Sequence, residues 1–108
     1  MISIDVRWLN CSGMGTYLKE LVPGIIASMP DEEFCLLGNT QEIIEADGLT
    51  GSNVAIIHVD AQMYSIAEQF EMIRKIPRET DLFWATHYNI PIFYKGKMLV
   101  TVYDLFHL

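Results

Sequence analysis

Strand-like alternation and helical periodicity follow one another along this chain. Ile2, Ile4 and Val6 alternate with Ser3 and Asp5, the pattern of a half-buried strand. Leu18, Leu21, Val22, Ile25, Ile26 and Met29 then recur at helical spacing and predict one apolar face of a helix beginning at Gly15. That helix would run for about four turns, with a kink near Lys19 to Pro23, where Pro23-Gly24 interrupts it. Phe34 to Leu37 reads as a second strand closed by Gly38-Asn39, and Thr40 to Ala46 as a short helix. Asp47-Gly48 and Gly51-Ser52-Asn53 mark a loop.

Val54 to Val59 reads as a third strand, buried. Ser65-Ile66-Ala67-Glu68 has the form of a capping box, with Ile66, Phe70 and Ile73 on one face behind it. Glu71 and Lys75 are spaced to pair on that helix, and Pro77 closes it. Leu82 to Ala85 and Met98 to Tyr103 are strands four and five, separated by an aromatic-rich loop from Thr86 to Gly96. No internal repeat, low-complexity tract or linker interrupts the pattern. The alternation predicts an α/β fold: a Rossmann-like parallel sheet of about five strands with helices on both faces and right-handed crossovers. In such a sheet ligands bind outside the carboxyl ends of the strands. The segment after strand one, His87 after strand four and Asp104 after strand five should all face that crevice.

The length of 108 residues suits a single domain. Half of the residues are apolar and 19% are charged, a globular composition and not a disordered one. The longest apolar runs, such as Met98-Leu99-Val100, fall far short of the ~18 residues a membrane span needs. The chain opens on a strand pattern without a basic and apolar leader, so the expected compartment is cytoplasmic. A net charge of −7 argues against a nucleic-acid surface. Residues 1 to 60 hold nine acids against Arg7 and Lys19, whereas residues 61 to 108 balance five against five. Arg74, Lys75, Arg78, Lys95 and Lys97 all lie in the second part. They read as a solvated face, with peripheral contact to the inner face of a membrane as the other option.

Two cysteines, Cys11 and Cys35, are too few for a disulfide framework or a zinc knuckle. Cys35 reads as a small buried hydrophobe, and Cys11 as a loop residue before a reactive thiol. His58 reads as a buried, hydrogen-bonded core or strand-end residue, and the methionines as core filler.

Candidate chemistry centres on Asn10-Cys11-Ser12-Gly13-Met14-Gly15-Thr16-Tyr17, between the first strand and the first helix. Glycines at a strand-to-helix turn allow close backbone approach, and N–H groups at the helix start suit a phosphate or a sugar hydroxyl. A dinucleotide fingerprint would need a third glycine where this chain has Leu18, and an acid where it has Gly38-Asn39-Thr40. A phosphate loop would need a Gly-Lys-Ser/Thr element, which the sequence lacks. A phosphoacceptor pocket would need paired acids after the first strand, and Asp5 alone does not supply them.

The stretch Ile4-Asp5-Val6-Arg7-Trp8-Leu9-Asn10-Cys11-Ser12-Gly13-Met14-Gly15-Thr16-Tyr17-Leu18 resembles the opening of the group 1 (family 4) retaining glycosyltransferases of GT-B fold. There a strand leads to an Arg, a Gly-x-Gly turn and a Tyr at the helix start. A second stretch, Asp81-Leu82-Phe83-Trp84-Ala85-Thr86-His87-Tyr88-Asn89-Ile90-Pro91, resembles that family's Asp-hydrophobic-x-His-x-Pro region. Val100-Thr101-Val102-Tyr103-Asp104-Leu105 is similar to its Val-Thr-x-His-Asp-Leu strand end, with Tyr103 in the place of the histidine.

The resemblance implies transfer of a sugar from a nucleotide-sugar donor to a saccharide or lipid-linked acceptor, with retention at the anomeric carbon. It implies no metal and no resident cofactor, the nucleotide-sugar being a co-substrate. Residues 1–108 would form the acceptor-side amino-terminal domain. The carboxy-terminal domain that holds most of the nucleotide-sugar is missing from this stretch, so the fragment alone is expected to be inactive. Carried onto this chain, donor and acceptor contacts fall to Gly13, Met14, Gly15, His87, Tyr88 and Asn89, and the catalytic positions to Tyr103 and Asp104. A tyrosine hydroxyl can donate a hydrogen bond as a histidine does, but with different reach and without titrating near neutral pH. His107, three residues beyond Asp104, is a spatial substitute on proximity alone. His87 contacts sugar hydroxyls or ties down its loop, and Asp104 orients the sugar site or caps the next element. Tyr88, Phe93 and Tyr94 read as loop packing ahead of stacking on an acceptor sugar. The alternative is a non-enzymatic binding or remnant domain of Rossmann-like fold, and a small nucleotide-binding regulatory domain is a third reading.

Overall fold

The computed structural model of the chain describes residues 1–10, 14–59, 73–86, 94 and 96–100. Its elements are β1 (Ile2–Asp5), α1 (Met14–Ser28), β2 (Phe34–Gly38), α2 (Thr40–Glu45), β3 (Val54–His58), β4 (Leu82–Ala85) and β5 (Met98–Val100). All four strand pairings are parallel, and the order across the sheet is β3-β2-β1-β4-β5. This is the doubly wound arrangement of a Rossmann-like α/β fold. Chain direction across the sheet reverses between β1 and β4: β1 leads through α1 to β2 on one side, and the return to β4 falls on the other.

Alternation along the central strand sorts the core into two faces. Ile4 lies opposite both Leu36 and Trp84, and joins Val6, Leu18, Val22, Ile26 and Ile43 in one apolar cluster beneath α1 and α2. Ser3 lies opposite Cys35 and Phe83, on the face whose cluster holds Leu37, Val59, Ile76 and Ala85. Residues 73–75 are helical and precede Ile76. The other residues of the predicted helix after Ser65 lie outside the described part, as do those of strand five beyond Val100.

Two expectations need correction. The third strand is not buried: Val54, Ile56 and Ile57 are half-buried, and Ala55 and His58 are exposed. It is an edge strand with one partner, β2, so neither face is fully covered. α1 runs from Met14 to Ser28 with Pro23 inside it. Proline removes one N–H, leaving the carbonyl of Lys19 without its helical donor, and that residue is exposed where water can serve. Met29 follows the end of the helix and is 39% exposed instead of extending its apolar face.

The short α2 begins where the sequence places it. The side chain of Asn39 accepts a hydrogen bond from the Glu42 N–H at 3.1 Å, satisfying one orphan donor of the first turn.

Candidate functional site

The crevice of a doubly wound sheet opens where the strand order reverses, here beyond the carboxyl ends of β1 and β4. Strand alternation points Asp5 to the same face as Ser3, and the chain then turns through residues 7–10 before α1. Asp5 and Arg7 form a buried ion pair at this point, with side chains 1% and 0% exposed. Arg7 Nε donates to both carboxylate oxygens, at 3.0 and 3.2 Å, and Nη2 donates to Oδ2 at 2.9 Å. The backbone N–H of Arg7 also donates to Oδ1, at 3.0 Å. One carboxylate therefore holds both the side chain and the main chain of Arg7. The guanidinium carbon lies 5.4 Å from the centre of the Trp8 ring, a cation–π distance.

Two further contacts join this pair to its surroundings. Thr86, buried at the end of β4, donates its hydroxyl to the backbone carbonyl of Asp5 and ties the two strand ends across the reversal. Gly15, in the first turn of α1, packs its Cα on the backbone of the 7–10 turn. A β-carbon there would overlap the Leu9 carbonyl oxygen and stand 2.8 Å from its carbonyl carbon. Gly15 is buried, and the backbone that comes close to it is that of Leu9.

Met14 opens α1. Gly13, Cys11, His87, Tyr88, Asn89, Phe93, Tyr103, Asp104 and His107 lie outside the described residues. In sequence, Gly13 precedes α1 directly and His87 follows Thr86. Tyr94 is half-buried, its ring 5.6 Å from that of Phe83, and desolvation pushes its hydroxyl above the usual tyrosine range. Packing accounts for it.

A second polar group sits at the carboxyl ends of β2 and β3. His58 Nδ1 accepts from the backbone N–H of Thr40 at 3.2 Å, with Thr40 Oγ1 also at 3.2 Å. Lys75 Nζ donates to the His58 carbonyl at 2.8 Å. The strand-end reading of His58 is the one seen, with the residue exposed instead of in the core.

Cys35 is fully buried, as its apolar context predicts, and burial pushes its thiol up to about 11. It is therefore a packing residue and not a nucleophile. A concavity of about 150 Å³ lined by Met1, Phe34 and Val54 lies at the amino ends of the strands, the end opposite the crevice. Among the described residues no three His, Cys, Asp or Glu side chains gather as a metal site. Among the same residues no helix is long and apolar enough to cross a membrane. No protein-family model, curated protein or solved structure matches the chain.

The Asp5–Arg7 pair is the feature that residue-by-residue reading missed. The signal available was a pair of opposite charges two apart at the end of the first strand, Asp5 closing β1 and Arg7 opening the turn after it. Thr86 carried no comparable signal.

Proposed function

We propose that this chain is the acceptor-side part of a sugar-nucleotide-dependent glycosyltransferase, with its cleft at the carboxyl ends of β1 and β4. The observation that carries this reading is the order of the sheet. The stretches that resemble the family's motifs include β1, β4 and the end of β5, and β1 and β4 are neighbours at the strand reversal. Such a site would act by positioning, with oriented backbone donors near a departing diphosphate and polar side chains on the sugar. The described residues would contribute the start of α1 and the exposed Asn10, with the buried Arg7 to Leu9 and Thr86 behind them. Completion of the nucleotide-sugar site would fall to the carboxy-terminal domain of such an enzyme.

Titration of the isotope-labelled chain with UDP-, GDP- and ADP-sugars, and separately with neutral oligosaccharides, tests this by amide chemical shifts. Responses confined to Asn10, Gly15 and Thr86 and their sequence neighbours are expected. Absence of any response, together with concentration-dependent self-association, would replace the enzyme reading with a partner-binding or remnant domain.

A further inference from the structure

Arg7 is a basic residue close in sequence to the glycine turn, and a cleft that takes a diphosphate invites its use as an anion ligand. Its geometry argues for another role. The guanidinium is wholly buried and spends Nε and Nη2 on one carboxylate, whose own charge would repel an arriving anion. The same carboxylate grips the Arg7 main chain, and the turn so fixed delivers the Leu9 carbonyl to Gly15 at the head of α1. The Asp5 carbonyl meanwhile receives the Thr86 hydroxyl from the end of β4.

We propose that Asp5 and Arg7 are a positioning pair: an internally neutral clamp that sets the turn into α1 and the end of β4 without touching the ligand. What the clamp serves rests on the glycosyltransferase reading of the crevice; the clamp itself does not. Two consequences separate it from a phosphate-binding arginine. Lysine cannot replace Arg7 although it keeps the charge, because the clamp needs the planar fork. Loss of the fork weakens ligand binding through geometry, leaving the salt dependence of that binding as it was.

The test has two arms, read by nuclear magnetic resonance and by titration calorimetry. In the unaltered protein, the Arg7 Nε–H is expected to exchange with solvent about 100-fold more slowly than that of exposed Arg78. Arg7→Lys should move the amide signals of Leu9, Gly15 and Thr86, and the double variant Asp5→Glu, Arg7→Lys, which restores reach across the pair but not the planar fork, should leave them displaced. Nucleotide-sugar affinity should fall about tenfold in Arg7→Lys and in the double variant, with an unchanged salt slope in both. Fast exchange at Arg7 Nε, or unmoved signals in Arg7→Lys, overturns the clamp, and the first holds even if the variant does not fold. A flattened salt slope with unmoved signals makes Arg7 a direct ligand instead. Should the unaltered chain bind neither nucleotide-sugars nor saccharides, the functional reading fails, while exchange and shifts still decide the clamp.

Discussion

Gly15 meets Leu9 backbone to backbone, so closely that a β-carbon on Gly15 would stand 2.8 Å from the Leu9 carbonyl carbon and 3.3 Å from the Trp8 carbonyl oxygen. Both obstacles are main chain and cannot swing aside as a side chain could. Gly15→Ala must therefore push α1 away from the turn or bend the turn itself. Overpacking of this kind costs about 3 kcal/mol. Gly24, in the same helix, provides the contrast, because nothing lies within 4 Å of the place its β-carbon would occupy. There Ala replaces Gly in a helix interior without a clash, and a gain of about 0.5–1 kcal/mol is expected. Urea denaturation of the two variants should move the midpoint in opposite directions.

Much of the sheet is legible in the sequence for a physical reason: strand alternation and helical periodicity are local consequences of which faces are buried. Ile2, Ile4 and Val6, and Leu18, Val22 and Ile26, reveal β1 and α1 in this way. Lateral order is a different matter. Val54 to His58 is as apolar as a central strand, and only its place at the edge, beside β2 alone, leaves it half-exposed. The cost of Pro23 is not legible locally either, because it depends on whether the orphaned carbonyl can reach water. At the crevice, the glycine turn is legible as a turn, but the partner of Gly15 is Leu9, six residues back, and spacing does not reveal who approaches whom. Asp5 and Arg7 read as two charges; only burial turns them into one neutral unit.

Breaking that unit should be costly. Arg7→Met leaves a buried carboxylate without its counter-charge, and Asp5→Ala leaves a buried guanidinium. Each is expected to lose about 3–5 kcal/mol, whereas replacing both residues by apolar ones of similar volume should cost far less than the sum. A double-mutant cycle in urea gives the coupling directly. Single variants within about 0.5 kcal/mol of the parent would mean that water reaches the pair.

The six-residue α2 is too short to hold itself together by propagation alone, so its cap carries unusual weight. Asn39→Ala removes the acceptor for the Glu42 N–H and should cost about 1 kcal/mol. Asn39→Asp keeps the acceptor and places a negative charge at the helix start, so it should retain or raise stability. Amide exchange at Glu42 and Ile43 reports the change locally, before any shift in global unfolding.

Cys35 supplies the pH prediction. Desolvation, the largest influence, raises its thiol from the ordinary 9.0 to about 11; a hydrogen bond with Ser3 opposes the rise and the charge of Glu79 adds to it. The folded value lies above the unfolded one, so below about pH 9 both states keep the proton and the group does not alter stability. As pH rises from there towards about 11, the unfolded chain gives up its proton first and the folded state is penalised. In a Cys11→Ser background, stability should therefore fall through this window more steeply with Cys35 present than in Cys35→Ala. Reactivity follows the same cause: at about pH 8 iodoacetamide should modify native Cys35 at least 100-fold more slowly than the same thiol in urea. Equal rates would place Cys35 at the surface. A pH slope shared by Cys35→Ala would instead assign the titration to other groups.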